Sequence, residues 1–255
     1  LVHDDIIDSA ELRHNKPSIQ ARWGTPVSVA MGVYLYSFSL QLIAEAGSLD
    51  VLRCISHTVK GMCEGELFQV FERGQTQLAI RKYLMVLKKK TGILFAAACE
   101  SGVYLSDNTA RVSQARSFGL NLGMVYQLLD DYLDIMGDEE TLGKGAGQDV
   151  DMGEATLPLL YLCEESSPEA LAEIQATFAS PSPESLAWLQ DKIRSSQAPV
   201  KMQRLGRHFL SKTRAMCSDL PESDYKASLL GILAYMEVRG GEALADPDRV
   251  VLASR

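Results

Sequence analysis

Apolar residues recur along this chain at spacings of three and four, as on helix faces. No alternating apolar and polar run flanked by turn signals reads as a strand. Residues 1–10 read as the end of a helix, and residues 14–24, with Pro17 and Gly24, as a loop. Pro26 sits where a first-turn proline belongs and opens a helix to about Ala46. Ser48-Leu49-Asp50 starts another to about Glu72; Gly74 breaks it, and helices follow over roughly 76–105 and 108–136. Pro158 restarts the helical pattern after a glycine-rich stretch, and amphipathic helices follow near 168–178, 183–195, 198–218 and 222–239. With no low-complexity linker, the economical organisation is one all-α domain over residues 1–240 and a polar, loosely held tail over 241–255.

Residues 24–44 carry no charge, a length close to that of a membrane span. Thr25, Ser28, Ser37, Ser39 and Gln41 interrupt the apolar run, and no basic cluster flanks it closely. The pattern favours a helix buried on nearly all sides, in the core or at a subunit interface, over a transmembrane helix. The chain has 255 residues, 46% of them hydrophobic, ample for a large core. A net charge of −8 with no basic arm argues against a nucleic-acid partner. Cys54, Cys63, Cys99, Cys163 and Cys217 are dispersed without C-x-x-C spacing, which reads as buried thiols in a reducing, cytoplasmic compartment. No signal peptide is visible. The chain opens at Leu1 in what reads as the middle of a helix, so sequence is expected upstream.

Within this frame the stretch Gln127-Leu128-Leu129-Asp130-Asp131-Tyr132-Leu133-Asp134 stands out. Asp130 and Asp134 fall one helical turn apart on the same face, with Asp131 beside them. Such like-charge pairs cost about 0.2–0.5 kcal/mol each on an isolated helix, so a cation should sit among them. The arrangement recurs as Asp4-Asp5-Ile6-Ile7-Asp8. Two D-D-x-x-D clusters on separate helices can face each other across a cavity and hold Mg²⁺ together with a diphosphate. Arg13, Lys90 and Lys144 are placed to contact phosphate, Lys144 from a polar glycine-rich segment over 137–153 in the position of an active-site lid. Lys88 and Lys89 read as a solvated helix face, and Gln127 as a buried amide or a ligand contact. The four histidines show no zinc-ligand spacing, and no P-loop, dinucleotide or G-x-S-x-G fingerprint occurs.

Asp4-Asp5-Ile6-Ile7-Asp8 with Glu11-Leu12-Arg13 and Lys16-Pro17-Ser18 resembles the first aspartate-rich motif of the trans-isoprenyl diphosphate synthases, or polyprenyl synthetases. The stretch from Gly123 to Asp134 resembles the second. Gly65-Glu66-Leu67 with Gln69, Lys90-Thr91, Gly143-Lys144-x-x-Gly147-x-Asp149 and Thr156-Leu157-Pro158 match further family stretches in order. The resemblance implies an all-helical isoprenoid synthase fold around a central cavity, a homodimer, and condensation of an allylic diphosphate with isopentenyl diphosphate. It implies three Mg²⁺, with Asp4, Asp8 and Asp130 as direct ligands and Asp5, Asp131 and Asp134 ligating or ordering metal-bound water. Arg13, Lys90, Gln127 and Lys144 would hold the allylic diphosphate, with Thr91 nearby. The uncharged helix would lie at the dimer interface or cavity wall.

The sequence departs from that family's pattern at named points. The upstream segment that binds isopentenyl diphosphate is absent from the chain. His14 stands where a second arginine follows Arg13, Asn15 replaces a glycine, Val33 an aspartate, and Glu154 a lysine before Thr156. The allylic half is complete and the isopentenyl half, where His14 falls, is altered. A rival class follows from these departures: a non-catalytic or regulatory subunit of a heteromeric prenyl synthase. A terpene cyclase shares the fold, but its second metal motif is not another D-D-x-x-D.

Overall fold

A computed structural model describes residues 1–13, 16–106, 109–137 and 147–244, the side chains of 242–244 excepted. Helix α1 (Val2–Ile7) leads into a minimal antiparallel hairpin, β1 (Leu12–Arg13) with β2 (Lys16–Pro17), and then α2 (Ile19–Glu45) and α3 (Leu49–Phe71). Next come α4 (Ile80–Leu87), a π-helical turn (Lys88–Gly92), α5 (Ile93–Tyr104), a short 3₁₀ turn (Thr109–Arg111) and α6 (Val112–Met136). The remainder is α7 (Gln148–Asp151), α8 (Leu157–Glu165), α9 (Pro168–Phe178), α10 (Pro183–Arg194), α11 (Ala198–Ser218) and α12 (Asp224–Leu244).

Helix α6 is the axis of the molecule because it is apolar on more than one face. Phe118, Leu122, Val125 and Leu129 repeat at helical spacing and pack on Leu210 and Cys217 of α11 and Leu233 and Met236 of α12. Met124 and Leu128, on another face, join Tyr83 and Leu87 of α4, Leu157 and Leu160 of α8 and Met202 of α11. Ile135, at its end, enters a third cluster with Val150, Leu159, Ile174, Phe178, Leu189 and Ile193. A helix locked on three sides is a rigid platform for the carboxylates at its C-terminal end. Against α5 it comes closer still: a Cβ on Gly119 would sit 2.3 Å from the Phe95 carbonyl oxygen, so only glycine allows the two backbones to meet.

Several local features differ from the sequence expectation. The two-residue strands β1 and β2 form where no strand was expected; an alternation pattern has no length over which to show in them. Helix α2 begins at Ile19, not Pro26, because Ser18 Oγ accepts the Ala21 N–H as an N-cap. Gly24, at φ +78° and ψ 174°, breaks it locally, a backbone state glycine reaches without steric cost, and Pro26 follows in the resumed helix. The helix expected from residue 76 starts at Ile80 and is interrupted by the π-turn. The last helix runs to Leu244 with a kink at Gly241, and the rest of the expected tail lies outside the described residues.

The largest correction concerns α2. Expected to be buried in the core or at a subunit interface, it is not a core helix: it is exposed along most of its length in the single chain, and Ser28 is its one buried residue. Trp23, Val33, Tyr34, Tyr36, Phe38 and Leu42 all face outward. It is also the one helix among the described residues long and apolar enough to cross a membrane. Being apolar all round, it has no polar face to turn to solvent, and α1 and α3 cover only part of it.

Candidate active site

The first aspartate motif lies on α1 and the residue that caps it. Asp8 ends the helix, Ser9 turns the chain at φ +49°, and the Ala10 N–H returns to the Asp5 carbonyl at 2.9 Å, a Schellman-type closure. The second motif occupies the last two turns of α6. In both, the D-D-x-x-D spacing divides the carboxylates by burial. Asp5, Asp131 and Asp134 are buried, with 3–5% of their surface exposed, whereas the side chains of Asp8 and Asp130 are 26% and 40% exposed and that of Asp4 is 37% exposed.

The buried three are held by protein donors. Arg13 Nε donates to Asp5 Oδ1 at 3.0 Å, and its Nη2 makes a second short contact to the same oxygen. Asp131 accepts from the Tyr83 hydroxyl and, at 2.8 Å, from Gln127 Nε2; the Gln127 carbonyl in turn accepts from Thr91 Oγ1 at 2.6 Å. Asp134 Oδ2 accepts the Asp149 N–H at 3.0 Å, while the Asp134 carbonyl accepts the Gly147 N–H at 2.7 Å. The other three are less enclosed: Asp130 has Arg239 at 4.0 Å, and Asp8, half-buried, has Arg73 at 3.2 Å.

Lys90 comes to the site from the π-turn. One extra residue in that turn changes the helical phase, so the adjacent Lys89 and Lys90 both reach α3. Lys89 pairs with Glu64 at 2.5 Å and Lys90 with Glu66 at 3.1 Å. Burial works against the Lys90 charge, but Glu66, Glu154 and Asp8 together outweigh it and hold its pKa above the ordinary lysine value. Asp8 is raised, by desolvation first, with Lys90 opposing.

Of the expected lid, 147–153 packs as α7, with Val150 in the core; residues 138–146, with Lys144, lie outside the described residues, as does His14. Asp149 sits among like charges. Desolvation, then Asp134, Asp131, Glu154 and Asp130, push its carboxyl well above the usual range. Such crowding is what a bound cation relieves, and hard oxygen donors suit Mg²⁺. Among the described residues no three acidic, histidine or cysteine side chains gather into a ready-made ion cage.

The partners of four side chains here escape sequence reasoning. Tyr83 reaches Asp131 across 48 residues, and Arg73 bridges Asp8 and Glu154, the latter 81 residues on. Glu66 anchors Lys90, and the buried Glu154 takes Arg73 and Gln69 as partners where the family pattern has lysine. No spacing rule links residues so far apart. Of the cysteines, Cys163 and Cys217 are buried as expected and Cys63 is exposed; all five are free thiols.

A model of the polyprenyl synthetase family matches residues 1–192. Heptaprenyl diphosphate synthase component 2 of Bacillus subtilis is 32% identical over 240 residues, covering 94% of this chain and 68% of that protein. Octaprenyl diphosphate synthase of Escherichia coli is 30% identical over 243 residues, covering 94% and 74%. Among solved structures, a polyprenyl synthase from Caulobacter crescentus, complexed with calcium and isoprenyl diphosphate, superposes with a TM-score of 0.85 at 31% identity, over 96% of this chain and 74% of that one. The heptaprenyl diphosphate synthase of Staphylococcus aureus gives 0.84 at 27% identity, over 94% and 75%. By sequence and by fold alike, this chain belongs to the polyprenyl synthetase family.

Proposed function

We propose that the chain is a trans-prenyltransferase that condenses an allylic diphosphate with isopentenyl diphosphate into a longer all-trans polyprenyl diphosphate. The observation that carries the reading is the division of both D-D-x-x-D motifs into three open carboxylates, Asp4, Asp8 and Asp130, and three fixed ones, with Lys90 close to Asp8. Asp4, Asp8 and Asp130 would hold Mg²⁺, three ions in all, and the ions would neutralise the charge that builds on the departing diphosphate. Lys90 and Arg13 bind and orient the diphosphate, and Gln127 and Thr91 fix Asp131 behind them. Lys144 and His14 belong to the same proposal, as a lid cation and a contact to the second substrate. After the isopentenyl double bond has attacked the allylic cation, released diphosphate takes the proton.

The test is incubation with Mg²⁺, isopentenyl diphosphate and farnesyl diphosphate, followed by sizing of the products. Elongated polyprenyl products are expected from the wild type and none from Asp130→Ala. A wild type inactive with every allylic primer, or an active Asp130→Ala, sinks the reading.

A homodimer in the cytoplasm completes the proposal. The outward apolar residues of α2 would be covered by a second copy rather than by lipid, since the family match runs through this helix. Five free thiols agree with a reducing compartment. The second reading, a subunit of a heteromeric synthase, is favoured by one observation: the first-named relative is itself called component 2. Activity assay together with light scattering of the purified chain separates the two, because a homodimeric synthase is active alone whereas a heteromeric subunit turns over only once its partner is added.

A further inference from the structure

Arg73 stands between Asp8 of the first aspartate motif and Glu154. It follows the C-cap of α3, and the backbone around it is pinned: the Gly74 N–H donates to the Gly153 carbonyl at 2.7 Å, and the Glu154 N–H to the Asp149 carbonyl at 2.7 Å. Glu154 therefore comes to the guanidinium on a fixed frame. Its carboxylate is 8% exposed, and both oxygens are spent on the protein. Arg73 Nε and Nη2 reach Oε1 at 2.9 and 2.7 Å, and Gln69 Nε2 donates to Oε2. Glu154 is thus an anchor. The third contact, Arg73 Nη2 to Asp8 Oδ1, is longer, at 3.2 Å, and joins the cation to an open carboxylate.

Arg73, Asp8 and Lys90 are almost equally open, with side chains 26%, 26% and 25% exposed, and Lys90 is close enough to Asp8 for each to shift the other's pKa. Among the described residues Arg73 Nη1 makes no hydrogen bond. A cation added at Asp8 competes with Arg73 for the same oxygen and leaves the guanidinium needing an acceptor. A diphosphate provides one, since its oxygens match the planar fork of arginine. We propose that Arg73 is a diphosphate-binding cation of this site, held by Glu154 and Gln69 and resting on Asp8 until a metal diphosphate replaces that contact. The inference rests on the function proposed above. A purely structural bridge between α1 and the segment at Glu154 is the alternative it has to beat.

Calorimetric titration with inorganic pyrophosphate at saturating Mg²⁺, and with Mg²⁺ alone, decides between them. Wild type should bind pyrophosphate and Asp130→Ala should not; if wild type does not bind, the site reading and this proposal fall together. With wild type binding, Arg73→Gln is expected to lose about tenfold to a hundredfold in pyrophosphate affinity, as for a hydrogen bond to a charged group. Its affinity for Mg²⁺ alone should be unchanged or higher, because Asp8 has lost a competitor. Pyrophosphate bound as tightly as by wild type, whatever happens to thermal stability, overturns the Arg73 assignment and leaves the site reading standing. Should Arg73→Gln fail to fold, Arg73→Lys keeps a charge near Asp8 but loses the fork. Its pyrophosphate affinity should fall by about tenfold, and wild-type affinity there overturns the proposal equally.

Discussion

Tyr83→Phe tests the relay that fixes the second aspartate motif. Tyr83 and Asp131 are each only 5% exposed, and the hydroxyl donates directly to Asp131 Oδ2, while Gln127 holds Oδ1 at 2.8 Å. Phenylalanine fills nearly the same volume, so the packing of Tyr83 with Leu87, Met124 and Leu128 should survive and only the hydroxyl is lost. A hydrogen bond to a buried charged acceptor is worth about 1.5–3 kcal/mol. In a chain of this size, at about 2–4 °C per kcal/mol, that corresponds to a melting point lower by about 3–12 °C. Urea unfolding followed by circular dichroism, with EDTA present, measures it. Against an Asp131→Asn background the acceptor is neutral, and the same substitution should cost only about 0.5–1.5 kcal/mol. A loss below about 0.5 kcal/mol in wild type, or an equal loss in both backgrounds, would refute the charge-assisted relay.

Asp149→Asn tests the crowding of carboxylates. Its folded pKa is raised, so between the unfolded value, about 3.9, and the folded one the native state holds a proton the unfolded chain has lost. Native stability therefore falls as pH rises through that window, and in EDTA at pH 7 the asparagine variant should be the more stable. The gain should shrink on acidification and vanish below about pH 4; a variant weaker than wild type at pH 7, with no pH dependence, contradicts this. Gly119→Ala drives a methyl to within 2.3 Å of the Phe95 carbonyl oxygen and should cost about 1–3 kcal/mol by denaturant unfolding, with unchanged stability counting against the α5–α6 contact. Ser9→Gly relieves a left-handed residue and should stabilise by about 0.5–1 kcal/mol in the same assay; a loss of stability would show that Ser9 contributes more than its backbone strain.

What the sequence determined by itself is the short-range part of this protein. Helical spacing and the glycine and proline breaks set most of the helices, because those signals act over one to four residues. The D-D-x-x-D spacing placed Asp4 with Asp8 and Asp130 with Asp134 on shared helix faces, because the period of the α-helix fixes that without any partner. It did not decide which carboxylates stay open: Asp134 shares a face with Asp130 yet is buried, because α7 folds over it and the Asp149 N–H caps it. The tiny hairpin, the early start of α2 and the π-turn were missed because each depends on one or two contacts rather than a repeating pattern. Composition made α2 apolar, but only the packing shows that α1 and α3 leave it exposed in a single chain. Tyr83 on Asp131, Glu66 on Lys90, and Arg73 between Asp8 and Glu154 were decided by tertiary structure alone. A buried or half-buried charge must find its counterpart wherever the fold brings one, and sequence distance carries no record of that choice.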